Sequence, residues 1–246
     1  MSLPFAVVSE APADFRTATE LADRELVDAI EWLDEEGLEY QRTWLQSSPT
    51  GEPLTWKKLK QLARDAGLYP SGFIDGEPAQ PDANAARRAI GYLVKVYPAL
   101  AGIVLIRDQD DQPERRRGLE QARDDHDGQE PIVIGLAVVE RESWVLAGFD
   151  PADDDDEETA RHAAERRTLG FDPRMRSEEL TACKDDAAPR SPKRVLAVLC
   201  PTAKREARCW RETPLATLRA RGTNNGLAAY LDEVRARLAP LIGHTA

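Results

Sequence analysis

The sequence predicts an α/β fold: a mostly parallel sheet flanked by helices, followed by a helical annex towards the C-terminal end. Three observations carry this reading. Short, near-continuous apolar runs at Phe5–Ser9, Ile103–Ile106 and Pro131–Val139 read as buried strands, since strands covered on both faces lose the in-and-out alternation. Segments with apolar residues at helical spacing alternate with these runs, as right-handed crossovers between parallel strands require. Each run also ends in acids: Glu10 and Asp14, then Asp108, Asp110 and Asp111, then Glu140 and Glu142. Ligands of open α/β sheets collect just beyond the carboxyl ends of the strands.

Taken in order, Phe5–Ser9 is the first strand. Ala22, Leu26, Ala29, Ile30 and Leu33 then form one stripe of a helix, with Asp14 placed to cap it and Gly37 to end it. Tyr40–Leu45 suits a strand, Ser47–Pro53 a turn, and Thr55 caps a helix over Trp56–Ala66 whose lysines face solvent. Leu68–Pro81, with its closely spaced Pro and Gly, reads as loop. Asp82 caps a helix carrying Ala86, Ile90, Leu93, Val94 and Tyr97, and Pro98 stops it before the central strand. Pro113–Ala122 is helical, Arg123–Glu130 a charged loop, and Pro131–Val139 the third strand. Trp144, Val145 and Leu146 begin a helix or a tight apolar turn, with Trp144 in the core; Asp150–Glu158 is a flexible acidic insertion or a helix start, read first as a solvated loop. The remainder is helical, closing with Leu227, Tyr230, Leu231, Val234 and Leu238 on one stripe. The acidic stretch near Asp153 divides residues 1–150, the α/β domain, from 151–246, a helical annex packed on it, unless the two form one continuous domain.

Composition bounds the function. The chain has 246 residues, 41% hydrophobic and 31% charged, as in a soluble globular protein. No apolar run approaches the roughly 20 residues of a membrane helix. The opening residues carry no secretory signal, so the expectation is a cytoplasmic protein without a membrane partner. Cys183, Cys200 and Cys209 show no paired spacing and read as reduced thiols; Cys183 and Ser191 have no visible base partner for covalent catalysis. His126, His162 and His244 show no zinc-ligand spacing. A net charge of −11 weighs against a broad nucleic-acid-coating surface. Basic patches at Lys57-Lys58-Lys60, Arg87-Arg88, Arg115–Arg117 and Pro189–Arg194 are expected as solvated faces for the most part. No phosphate-binding glycine loop followed by Lys and Ser or Thr occurs, which excludes ATP hydrolysis by that route.

The densest chemistry lies at Asp108, Asp110 and Asp111, with Arg107 as the one nearby counter-charge. Close carboxylates repel by about 4 kcal/mol per pair at an effective dielectric of 20. Hard divalent cations favour such all-oxygen surroundings, whereas the alternative is a solvated acidic turn.

The segments Val7-Val8-Ser9-Glu10-Ala11-Pro12-Ala13-Asp14 and Leu105-Ile106-Arg107-Asp108-Gln109-Asp110 resemble the Toprim pattern. In that pattern a glutamate closes the first strand, an acid follows four residues later, and an Asp-x-Asp closes a later strand. More narrowly, the chain resembles bacterial Toprim-like proteins related to OLD-family nucleases, often neighbours of ATPases and linked to phage defence. Glu140-Arg141-Glu142-Ser143-Trp144-Val145-Leu146-Ala147-Gly148 loosely matches one element of that group, and Ala188-Pro189-Arg190-Ser191-Pro192-Lys193-Arg194 another. The resemblance covers roughly residues 5–200. Ala11 stands where a glycine usually follows the first glutamate, Gly148 where an acid is usual, and Pro192 is extra.

The resemblance implies a Toprim/Rossmann-like sheet and a Mg²⁺- or Mn²⁺-dependent nuclease in a defence or repair system. It implies Glu10, Asp108 and Asp110 as metal ligands, Glu10 alternatively as general acid or base, and Asp14 and Asp111 in support. Glu142 would add a ligand from the third strand, or simply pair with Arg141. Lys193 would offset charge on the phosphate, or remain a surface lysine. The expected partners are nucleic acid, DNA first, a partner ATPase and a second copy of the chain. The competing expectation is a catalytically inactive Toprim-fold subunit that binds the ATPase.

Overall fold

The structure, a computed structural model, describes residues 2–70, 72–74, 76–128, 130–182 and 185–243. Cys183 and His244 lie outside the described residues. The chain begins with β1 (Leu3–Val8), α1 (Pro12–Ala29), α2 (Glu35–Gln41), β2 (Arg42–Leu45) and α3 (Trp56–Asp65). A small pair, β3 (Phe73–Ile74) and β4 (Glu77–Pro78), precedes α4 (Ala83–Val96), β5 (Gly102–Asp108), α5 (Arg115–Asp124) and β6 (Ile132–Ala137). Helices follow: α6 (Arg141–Ala147), α7 (Asp156–Leu169), a 3₁₀ turn at Ser177–Glu179, α8 (Pro192–Leu199), α9 (Ala203–Arg211) and α10 (Leu215–Arg221). The chain closes with α11 (Leu227–Arg237) and α12 (Ala239–Gly243).

Among the described residues, four strands form an all-parallel sheet in the order β2-β1-β5-β6, and β3 and β4 form a separate antiparallel pair. The predicted α/β fold with flanking and C-terminal helices is therefore the one observed. In register, Phe5 lies opposite Gly102 and Val8 opposite Leu105. The apolar runs of β1 and β5 are buried from Phe5 to Val8 and from Ile103 to Ile106, as continuous hydrophobicity implies. The edge strand β2 is only half-buried and holds charge: Arg42 and Trp44 both donate to the Asp23 carboxylate of α1, at 2.6–2.9 Å. Among the described residues, no helix is long and apolar enough to cross a membrane.

Packing divides the chain into two compact units, neither continuous in sequence. The first comprises Met1–Arg107, Gln112–Gly135 and Asp232–Ala246; the second comprises Asp108–Asp111 and Leu136–Leu231. Inside the first unit, α3 packs on α4 and α4 on α5. There the end of α11 is tied down by Arg235 on the fully buried Glu25 at 2.5 Å, and by Glu233 on Arg123 at 2.9 Å. Inside the second unit, α6 packs against α8, α9 and the 3₁₀ turn. Trp144, Phe149, Trp210 and Tyr230 fill that core, with Trp144 stacked on Tyr230 at 5.0 Å, so Trp144 is the core residue expected.

Several local expectations are corrected. Asp14 is the third helical residue, not the cap: Pro12 has no N–H to satisfy and fits the first turn, so α1 starts at once after Ala11. Gly37 does not end α1. The helix stops at Ala29, and Asp34 caps a new one by accepting the Gly37 N–H at 2.7 Å. Thr55 caps α3 as expected, its hydroxyl accepting the Lys58 N–H. Asp82 precedes α4 with a φ of 65° and gives no side-chain cap; its carboxylate is taken by arginines.

Candidate functional site

The parallel order gives the four strands a common direction, and the acids named above follow their carboxyl ends. In the first unit these are Glu10 and Asp14. The Asp14 carboxylate accepts the backbone N–H groups of Ala11 at 2.8 Å and Glu10 at 3.1 Å, satisfying donors that the helix start leaves orphaned. That role explains why an acid is needed there without invoking metal. Glu10 pairs with Arg107 at 3.2 Å. Arg107 also reaches Asp82 at 3.1 Å, and Arg115 reaches the same carboxylate at 3.0 Å. The Arg107 guanidinium lies over the Trp56 ring, 5.3 Å from its centre, while the Trp56 indole N–H donates to the Ile106 carbonyl at 2.7 Å. Arg107, the one counter-charge next to the aspartates in sequence, serves Glu10 and Asp82, since successive strand residues point to opposite faces.

The second unit holds Asp108, Asp110 and Asp111 together with Glu140, Glu142 and Lys193. The Asp108 carboxylate accepts the Arg141 backbone N–H at 2.8 Å and so caps α6 from a distant part of the chain. Beyond β5 and β6 the backbones stay joined, Gln109 N–H to Ala137 carbonyl at 2.8 Å and Asp110 N–H to Val139 carbonyl at 2.9 Å. Asp110 and Asp111 are exposed, and Asp110 takes a φ of 48°. Glu140 and Glu142 are covered, their side chains 9% and 14% accessible. Burial raises the Glu140 carboxyl pKa, and the charges of Glu142 and Asp110 raise it further against the opposing pull of Lys193. Lys193 stands 3.5 Å from Glu140 and 3.6 Å from Asp186. Its partial burial works against the ammonium charge, but Glu140, Asp186 and Glu142 outweigh that and hold its pKa above the ordinary value. Arg141 bridges Glu206 at 2.7 Å and Glu142 at 3.4 Å, so the pairing of Glu142 with Arg141 is present. Ser191 caps α8 through the Arg194 N–H, and Pro192 is the first residue of that helix rather than an interruption.

Asp108, Asp110, Glu140 and Glu142 offer only oxygen donors, which in chemistry fits a hard divalent cation. In arrangement, no group of three or more His, Cys, Asp or Glu side chains among the described residues is gathered to hold a metal ion. What the second unit does hold is Glu140 beside Lys193, with the charges of Glu142 and, more weakly, Asp110 acting against its carboxylate.

The sequence places both Glu140 and Glu142 at the end of the third run and the resemblance gives the ligand role to Glu142, whereas Glu140 is the more deeply covered acid with the perturbed carboxyl. Nothing in Glu140-Arg141-Glu142 distinguishes the two acids until the helix start fixes which one turns inwards. Asn225 was missed. It is fully buried and donates to the Ser143 carbonyl and the Ser177 hydroxyl at 2.9 Å each. Its own carbonyl accepts the Trp144 indole and the Val138 backbone N–H, also at 2.9 Å. Its signal in the sequence is the Asn224-Asn225-Gly226 turn. Comparison with protein-family models, with curated proteins and with solved structures returned no match to the chain.

Proposed function

We propose that this chain is a metal-dependent nuclease of the Toprim type, hydrolysing phosphodiesters of nucleic acid, with DNA the first substrate to test. The observation that carries the reading is the covered Glu140, 3.5 Å from Lys193 and with its charge opposed by Glu142 and Asp110, in the segments that follow β5 and β6. Like charges held together where a sheet ends are relieved by a cation. Asp108, Asp110, Glu140 and Glu142 would hold Mg²⁺ or Mn²⁺ there. When bound, such an ion polarises a phosphoryl oxygen and lowers the pKa of water. Lys193, kept charged by its acidic neighbours, would stabilise negative charge developing on the phosphate. Glu10, Asp14 and Asp111 enter as supports through the resemblance alone. The same reading puts the protein in the cytoplasm, in a defence or repair system with a partner ATPase and with a second copy of the chain.

A second reading is favoured by a specific observation: the acids are served by the protein's own groups, and no three are gathered for metal among the described residues. On that reading the chain is an inactive subunit that binds the ATPase. The test compares the wild type with Asp108→Asn/Asp110→Asn on plasmid and single-stranded DNA in Mg²⁺ or Mn²⁺. Asparagine keeps an oxygen to cap α6 and tolerates the left-handed backbone at 110. Cleavage by the wild type alone supports the nuclease. Absence of cleavage by both, with a melting temperature indifferent to millimolar metal, supports the subunit, since an ion binding only the native state raises that temperature.

A further inference from the structure

The first unit carries a cleft of about 280 Å³ lined by Trp56, Lys57, Lys60, Ala85, Arg88 and Arg107. Four of these six residues are cationic and none is acidic, on a chain whose net charge is −11. The sign is therefore local and opposes that of the molecule. Helical spacing makes the cleft: Lys57 and Lys60 lie three apart on α3, and Ala85 and Arg88 three apart on the facing α4. The small Ala85 leaves the space between them open.

The cations are unequally served. Arg107 is committed to Glu10 and Asp82, and the adjacent Arg87 turns away to Asp125 at 2.8 Å. Lys58, between the two cleft lysines, pairs with Glu52 at 2.9 Å. Among the described residues no carboxylate pairs with Lys57, Lys60 or Arg88, and the Arg88 Nε is buried with no hydrogen-bond partner. A buried guanidinium nitrogen left without an acceptor is unfavourable and calls for one. Trp56 offers no open face for stacking, being 9% accessible with Arg107 over its ring. The cleft is thus built for an anion with several acceptor oxygens, and it is too small for much more than a phosphate with its neighbouring sugar.

We propose that this cleft receives backbone phosphate of a nucleic-acid strand, held by Lys57, Lys60 and Arg88. The choice of a strand over a free phosphate rests on the nuclease reading; the anion chemistry of the cleft does not.

The test is binding, not cleavage. Fluorescently labelled single-stranded DNA is titrated in EDTA against the wild type, Lys57→Gln/Lys60→Gln/Arg88→Gln, and the control Arg64→Gln/Arg117→Gln, whose exposed arginines lie outside the cleft. The expected result is an affinity at least tenfold lower at ~50 mM salt for the triple variant alone, with a salt slope shallower by about 2, at roughly 0.7 per lost phosphate contact. Lys57→Gln/Lys60→Gln, which changes only exposed side chains, gives the same direction should the triple variant unfold. Equal affinities, or an equal loss in the control, overturn the proposal. So does binding of inorganic phosphate or pyrophosphate without binding of DNA. Loss of the nuclease reading through the Asp108/Asp110 variants leaves this result standing, because no metal and no cleavage enter it.

Discussion

Asp110 and Val139 are joined backbone to backbone while both lie in the left-handed region, with φ of 48° and 70° and an N–H to carbonyl distance of 2.9 Å. Aspartate tolerates that conformation; a β-branched valine does not, and such outliers cost on the order of 1–3 kcal/mol. The neighbourhood enforces it. Val139 is buried, and the preceding Val138 N–H is held by the Asn225 carbonyl at 2.9 Å. Strain of this kind gathers where a fold must aim particular groups, and here the bridge sets Asp110 and Glu140 on adjoining backbone.

The two roles of Asp110, backbone and carboxylate, are separable. Asp110→Gly and Asp110→Asn melt no lower than the wild type, because both residues accept positive φ and both remove a charge that acts against Glu140. Asp110→Ala loses about 1 kcal/mol, or roughly 2–4 °C for a chain of this size. Under the nuclease reading all three lose cleavage. Differential scanning calorimetry beside a cleavage assay checks this, and an Ala variant as stable as the Gly variant contradicts the backbone account.

Glu140 gives a pH signature. Its folded pKa is raised, by burial first and then by Glu142, so the stability tied to its neutral form is complete below the ordinary carboxylate range and lost as pH rises through the raised value. Glu140→Gln should therefore melt higher than the wild type at pH 7, by a few degrees, with the difference vanishing near pH 4. Saturating Mg²⁺ should shrink it from the other side, by neutralising the wild-type cluster. A variant less stable than the wild type at pH 7 would mean that the pairing with Lys193 outweighs the repulsion.

The sheet was legible because its strands are covered on both faces: continuous apolar runs such as Ile103–Ile106 have no other easy reading. The acids at strand ends were legible for the same reason, since a run must stop where solvent begins. Helix boundaries were less so. Asp14 and Asp82 both look like caps, yet Pro12 moved one helix start and Arg107 and Arg115 claimed the other carboxylate, competitions that local sequence does not display. The basic cleft was invisible as a site, because Lys57 and Arg88 stand 31 positions apart and become neighbours only when α3 packs on α4. The division into units was hidden too. Asp108–Asp111 packs with residues from Leu136 onward, and no composition shift marks a four-residue excursion.

Asn225 and Gly226 act as the keystone of the second unit. Gly226 has a φ of 89°, and a Cβ there would stand 2.1 Å from the Leu136 carbonyl oxygen, in a backbone that cannot step aside. Gly226→Ala should lose more than about 3 kcal/mol, combining positive-φ strain with displacement of β6. Asn225→Ala should lose about 2–4 kcal/mol by leaving the Ser143 carbonyl and the Ser177 hydroxyl without their donor. Urea unfolding measures both. Asn224→Ala, at the exposed neighbouring position, should stay within about 0.5 kcal/mol of wild type.

Asp172 sets the acid limit of the same unit. Burial alone would raise its pKa, but hydrogen bonds from the Arg174 guanidinium, His162 at 3.1 Å and the Arg174 backbone N–H at 3.1 Å hold it far below the usual carboxylate range. The sign follows from linkage. A depressed folded pKa gives stability that is complete above the unfolded value, near 3.9, and is lost as pH falls towards the folded one. Asp172→Asn should lose about 1–3 kcal/mol at pH 7, where the carboxylate makes charge-assisted bonds that an amide cannot fully replace. Below about pH 4 the wild type surrenders the same contribution, so the two unfolding curves should converge as pH is lowered towards 2. Urea midpoints at pH 7, 4 and 2.5 test this. A gap between wild type and variant that stays constant across that range would show that Asp172 stabilises through its shape and not through its charge.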